Sequence, residues 1–402
     1  MMKIKGKTKI GLALSGGGIK AAAFHIGVCL ALKEKGFRFA GGHKEEVKSK
    51  YPDNDKVIRL YVGSSAGAVI STFLASGYSL EAIIGAFEKG AEWDLKGLKD
   101  QSSFDAPLKP LSYSDIFSLN GKNWFKFLPN LLKGKSVLSG GVEAIIKNGM
   151  KINGLVTGKG LERYIRENVW PENTFDSLGV ELYIVATQLN HSRKVIFGNF
   201  EETRKTKHIG WANYAKISDA VAASASLPPV FAPYGIENER GKEIFYFDGE
   251  IRDTLSTHVA TDHGCDLVIA SYSIQPYHYN DNMGSLHKYG IPLIFNQALY
   301  QVVQQKIEAH ISYHDAIGSI HKAIKGYFQQ KQLPQEDMDK LLNIIEERAN
   351  YKPNTDYIYI HPNPQDYEMF FADHFSLNPK ILAKIVQTGF RSALNQLRKY
   401  DL

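Results

Sequence analysis

Three short stretches of this chain carry residue types that could do chemistry. Gly63-Ser64-Ser65-Ala66-Gly67 fits G-x-S-x-G, with Ser65 at the nucleophile position. The pattern suits a strand that turns sharply into a helix: side chains flanking the serine would have no room, and the bend pushes its hydroxyl into the open. In a chain with 35 glycines the pattern alone is weak, but its setting between two apolar runs strengthens it. Gly16-Gly17-Gly18-Ile19-Lys20 is the second stretch. Consecutive glycines expose backbone N–H groups where a helix begins with its positive dipole end. Such a loop binds an anion, either a phosphate or the oxyanion of a tetrahedral acyl intermediate. No G-K-[ST] closes it as a P-loop, and a dinucleotide fingerprint would need glycine where Ala21 stands. The third is Asp248-Gly249-Glu250, whose aspartate ends an apolar run, where α/β folds build their sites.

A serine can also work through histidine and aspartate, in the order Ser…Asp…His on an α/β-hydrolase. His258, His263 and His278 all follow Asp248, but with 13 histidines such candidates are expected anyway. His25 lies inside the first helix and reads as a core or helix-surface residue. No H-E-x-x-H or similar cluster points to a metal.

The elements that must position these residues are legible. Ile10, Leu12 and Leu14 alternate as in a strand, and Ile19 to Lys35 follows as a largely apolar helix stopped by Gly36. After a polar excursion (Gly41 to Asp55), Val57 to Val62 predicts a second strand, and another apolar helix runs to about Gly77. Strand, glycine turn and helix thus occur twice in 80 residues, which predicts a parallel sheet covered on both faces. Further strands are expected at 181–187, 194–197, 243–247 and 267–273, with a helix at 217–226. From about residue 280 longer polar helices dominate. Met338, Leu341, Leu342 and Ile345 follow helical spacing behind Pro334, and one late strand, Tyr357 to Ile360, could rejoin the sheet. The expected division is a core over 8–279 and a mainly helical extension over 280–402.

Composition narrows the class. With 402 residues, 44% hydrophobic and 22% charged, the chain can bury a substantial core. No apolar run is long enough to span a membrane. Lys3, Lys5, Lys7 and Lys9 precede an apolar stretch, but the glycines and Lys20 interrupt it, so it reads as the first strand and helix rather than a signal peptide. Cys29 and Cys265 are too few for a disulfide framework and read as buried thiols of a reducing compartment. A net charge of +6 comes without any nucleic-acid-binding signature.

The three stretches, in this order and on these strand ends, resemble the patatin-like phospholipase family. The resemblance extends to Ala223-Ser224-Ala225-Ser226-Leu227-Pro228-Pro229-Val230-Phe231-Ala232-Pro233, to Gly154-Leu155 through Leu161-Glu162 and to Ile184-Val185-Ala186-Thr187, and it covers roughly residues 8–275. It implies a three-layer α/β/α fold with a mainly parallel central sheet. It also implies a serine acyl hydrolase acting on phospholipids or lysophospholipids through a dyad, with Ser65 as nucleophile and Asp248 as base. Gly63 and Gly67 would form the elbow, and the N–H groups of Gly16, Gly17 and Gly18 the oxyanion hole, with Lys20 in the family's supporting Arg/Lys position. No metal or cofactor is implied, because backbone amides can do the electrostatic work. Two positions depart from the family pattern: Ala21 stands for the closing glycine, and Glu250 for the small residue after Asp-Gly.

A lipid hydrolase must meet its substrate at an interface. Residues 122–135, with four lysines among Trp124, Phe125, Phe127 and several leucines and no acidic residue, suit peripheral contact with an anionic bilayer or a lid. The expected protein is cytoplasmic, meets membranes peripherally and binds no nucleic acid. Its extension offers surface for a lid, an oligomer contact or a sensor.

Overall fold

The computed structural model describes residues 2–3, 6–52, 56–87, 107–119 and 153–401; the expected membrane segment 122–135 lies outside the described residues. An eleven-stranded mixed sheet forms the centre. In chain order its strands are β1 (Ile10–Leu14), β2 (Arg38–Phe39), β3 (Val57–Ser64), β4 (Glu181–Gln188), β5 (Arg193–Phe197), β6 (Arg204–Lys205), β7 (Ile209–Ala212), β8 (Tyr234–Glu237), β9 (Glu243–Asp248), β10 (Leu267–Ser271) and β11 (Asp356–Ile360). The spatial order is β11-β10-β1-β3-β4-β5-β7-β6, with β9 paired to β4, β8 to β9 and β2 to β3. Pairing is parallel from β11 through to β4 and antiparallel at β4–β5 and β4–β9.

β1 and β3 are almost wholly buried because both faces of the sheet are covered. On one face Leu12, Leu14 and Tyr61 join a core shared with helices α1 (Gly18–Glu34), α2 (Ala66–Ala75) and α3 (Ile217–Ser224). On the other, Ala13, Leu60, Val62 and Val185 pack with Val259, Val303 and Ile307. The β1 alternation therefore separates a face of large side chains from a tight one. A Cβ on Gly11 would stand 2.9 Å from the Ala260 Cβ.

Residues after 279 are mainly helical: α4 (Ile291–Lys331), α5 (Gln335–Ala349), α6 (Tyr367–Phe371) and α7 (Pro379–Leu397). In α5, Met338 and Leu342 are buried while Leu341 faces solvent. This stretch is stitched to the core rather than hung beside it. β11 extends the sheet in register with β10, and α7 crosses α1 at a paired-glycine contact. A Cβ on Gly27 would lie 2.1 Å from the Val386 carbonyl oxygen, and one on Gly389 would lie 2.2 Å from that of Phe24. Only glycine lets two backbones approach so closely. Among the described residues no helix is long and apolar enough to cross a membrane.

Candidate active site

Ser65 stands between the end of β3 and the start of α2 with φ 52° and ψ −121°. That left-handed conformation costs a non-glycine residue about 1–3 kcal/mol and persists only where its surroundings enforce it. The flanking glycines do so. A Cβ on Gly63 would lie 2.5 Å from the Ala68 Cα, and one on Gly67 would lie 2.1 Å from the Leu14 carbonyl oxygen. The Ser65 N–H donates to the Ser224 hydroxyl at 2.8 Å, which donates in turn to the Val185 carbonyl at 2.6 Å.

Register brings the aspartate to the serine. In β4, Val185 lies opposite Ser64 of β3, and Ala186 lies opposite Asp248 of β9. The two strand ends therefore emerge side by side across one strand. Asp248 is 1% exposed, its N–H bonded to the Ser226 carbonyl and its own carbonyl accepting from the Thr187 hydroxyl. Its Oδ1 accepts the Glu250 N–H at 2.9 Å. Burial raises its pKa to about 6, against the pull of hydrogen bonding from the Ser65 hydroxyl and the Glu250 N–H. The stretch 223–233 thus holds both residues, Ser224 at the serine and Ser226 at the aspartate. Sequence reasoning gave neither serine a role; both lay unmarked inside the family-like stretch.

The glycine loop lies against this pair. Gly17 (φ 131°) and Gly18 (φ 73°) occupy conformations that favour glycine, and α1 begins at Gly18. A Cβ on Gly16 would stand 2.8 Å from the Ser65 Cβ. Among the described residues the N–H groups of Gly17 and Gly18 make no hydrogen bond. Beneath the loop His25 is buried, its Nε2 2.9 Å from the Ser15 carbonyl and its Nδ1 2.8 Å from the Ser271 hydroxyl. A carbonyl only accepts, so Nε2 carries the proton; burial lowers the pKa to about 4 and keeps the ring neutral.

Lys20 lies behind the glycine loop. Its ammonium donates to the Tyr300 hydroxyl at 2.8 Å and to the Met369 carbonyl at 2.9 Å. The C-terminal stretch encloses it, and burial lowers its pKa to about 7 against the pull of Asp373. Its backbone N–H donates to the His374 carbonyl at 3.3 Å, the atom that would lie 2.5 Å from a Cβ on Gly18. Lys20 therefore anchors the loop from behind.

Glu250 is the least expected feature. It is 6% exposed, and its side chain lies along the loop, with Cγ 2.5 Å and Cδ 3.3 Å from the Cβ position of Gly16. The carboxylate faces the Gly16 N–H and the Ser64 hydroxyl. Among the described residues, however, neither carboxylate oxygen nor the Ser64 hydroxyl has a partner in good hydrogen-bond geometry. Burial first, then the charge of Asp248, raises its pKa to about 8.

An apolar cavity opens from Ser65, walled by Ile19, Val69, Leu161, Leu227, Phe231 and Phe375. The candidate triad histidines are turned elsewhere. His258 neighbours Asp253 (3.7 Å), His263 Nδ1 lies 2.7 Å from the Val259 carbonyl, and His278 is exposed.

The patatin-like phospholipase family matches residues 12–261. A Bacillus subtilis (strain 168) protein, uncharacterized protein YqhO, is 33% identical over 127 residues. That match takes in 31% of this chain and 36% of the relative, so it spans little more than a third of the relative's length.

Proposed function

This chain belongs to the patatin-like phospholipase family, and from that premise we propose that it is a serine acyl hydrolase that cleaves fatty-acyl esters of phospholipids or lysophospholipids through a Ser65–Asp248 dyad. The observation that carries the proposal is the meeting of four features: a strained, exposable serine, a buried carboxylate, unbonded backbone N–H groups and the mouth of an apolar cavity. The cavity takes the acyl chain and sets the ester carbonyl over Ser65.

Asp248, ionised above about pH 6, removes the Ser65 proton as the hydroxyl oxygen attacks the carbonyl carbon. The N–H groups of the glycine loop receive the resulting oxyanion, each such donor being worth roughly 3 kcal/mol. Collapse breaks the ester C–O bond, and the proton held by Asp248 passes to the departing alkoxide. Water then adds to the acyl-enzyme with Asp248 again taking a proton, which returns to Ser65 as the fatty acid leaves. No imidazole, metal or cofactor enters the sequence. Substrate would arrive from a lipid surface, with residues 122–135 as the contact.

Fatty-acid release from phospholipid vesicles, comparing the native protein with Ser65→Ala, tests this. The variant should lose at least about a thousandfold in rate with an unchanged melting temperature. Retention of more than a few per cent of the rate would exclude Ser65 as the nucleophile. Vesicle binding without hydrolysis by the native protein would leave only a lipid-binding relative.

A further inference from the structure

Glu250 has no task in the dyad, yet it is buried within the site. Its carboxylate lies against Gly16, one of the proposed oxyanion donors, and Gly16 in turn lies against Ser65. Its two oxygens and the Ser64 hydroxyl are enclosed without partners in good geometry, an arrangement that an ionised carboxylate tolerates poorly and a neutral acid much better. A negative charge there would draw the Gly16 N–H to itself and repel the oxyanion forming beside it.

We infer that Glu250 is a positioning residue that doubles as an alkaline off-switch: protonated, it packs under the glycine loop and leaves the oxyanion donors free; ionised, it takes over the Gly16 N–H and shuts down acyl transfer. The inference rests on the acyl-hydrolase reading above. The neighbouring carboxyl supports it, because Asp248 must be ionised for the same reaction and its charge helps keep Glu250 protonated. With Asp248 titrating near 6 and Glu250 near 8, activity should occupy the window between them.

The other charged groups around Glu250 do not supply that alkaline limb in the same way. Asp253 is paired to Lys194 at 2.5 Å, with His258 alongside, and its pKa is lowered, so its charge is constant through the window. His25, under the loop, is already neutral. Lys20, on α1 behind the loop, is the competitor, since it loses its proton near 7.

The experiment is the pH dependence of kcat/KM on a soluble ester for the native protein, Glu250→Gln and Glu250→Ala, each normalised to its own rate at pH 7. Ser65 labelling by a fluorophosphonate probe is read in parallel, and melting temperatures confirm folding. The native rate should fall about tenfold by pH 9, as a single group titrating near 8 requires. Glu250→Gln should fall less than about twofold over the same span, with its acid limb unmoved. An alkaline limb persisting in both folded variants would overturn the inference and assign the limb to Lys20. A folded Glu250→Gln inactive at every pH would also overturn it, since the carboxyl would then be needed rather than inhibitory. If the native protein neither turns over ester nor takes up the probe at any pH, the acyl-hydrolase reading itself fails.

Discussion

The nucleophile turn at 63–67 and the acidic turn at 248–250 meet in one site but are held by different physics. In the first, sterics act over a few residues and one neighbouring strand. Gly63 and Gly67 leave no space for a Cβ, so Ser65 is forced to positive φ. In the second, no residue takes a positive φ, although a Cβ on Gly249 would meet the Val185 carbonyl oxygen at 2.3 Å, and it is the environment of the carboxyls that is unusual. Asp248 and Glu250 are carboxyl groups enclosed by residues far away in the chain, and their pKa values are displaced upward by that enclosure. One turn stores backbone strain and the other stores unfavourable charge. The first can be broken by adding a methyl group and the second relieved by removing a charge.

The largest effect expected from this contrast is on rate. Asp248→Asn removes the base but keeps the shape, and should lower kcat by about a thousandfold, within the range for a lost general base. Its effect on stability should run the other way. A carboxyl whose native pKa lies above its unfolded value of 3.8 is a burden that is absent below about pH 4, grows as pH rises and is complete above about pH 6. The asparagine variant should therefore melt like the native protein near pH 4 and higher than it at pH 7.5, by up to about 3 kcal/mol. Equal melting at both pH values would mean that Asp248 is not strained by burial.

At the steric turn Gly67→Ala should be the most damaging single methyl. A backbone carbonyl stands 2.1 Å from the new Cβ, so β1 must move. A loss of about 3 kcal/mol or more is expected, the upper end for overpacking, measurable by urea unfolding; a loss below about 1 kcal/mol would show that the turn is not sterically fixed. The smallest effect is a gain. Ser65→Gly relieves the positive φ and should raise stability by about 1 kcal/mol while eliminating hydrolysis, and a destabilised variant would contradict the strain argument.

Reading the sequence recovered the framework well. Both glycine-turn units, the strand leading to Asp248, the helix at 217 and even the late strand near 357 stand where periodicity and turn chemistry put them. These features are legible because their causes are local: an apolar run bounded by glycine has few alternatives. Lys20 and Glu250 were not legible in the same sense. Resemblance puts Lys20 in the family's supporting Arg/Lys position, and nothing near it in sequence points to its partners, Tyr300 and Met369, 280 and 349 residues further along the chain. Glu250 could be seen to break a family pattern, but nothing near it in sequence announced that it would be buried against Gly16.

What the sequence determined by itself is therefore the fold class and the candidate serine, which follow from steric demands made within single strand–turn–helix units, while the candidate aspartate was marked by its place at a strand end and by resemblance. What the tertiary structure alone decided is the electrostatic state of the site. The β3–β4–β9 register sets Asp248 beside Ser65, and the C-terminal stretch, which lies beyond the family match, closes over Lys20 and the glycine loop. Desolvation depends on everything that surrounds a group: these carboxyls are enclosed by strands and turns brought together from Gly16 to Ser226, and this lysine by the two ends of the chain.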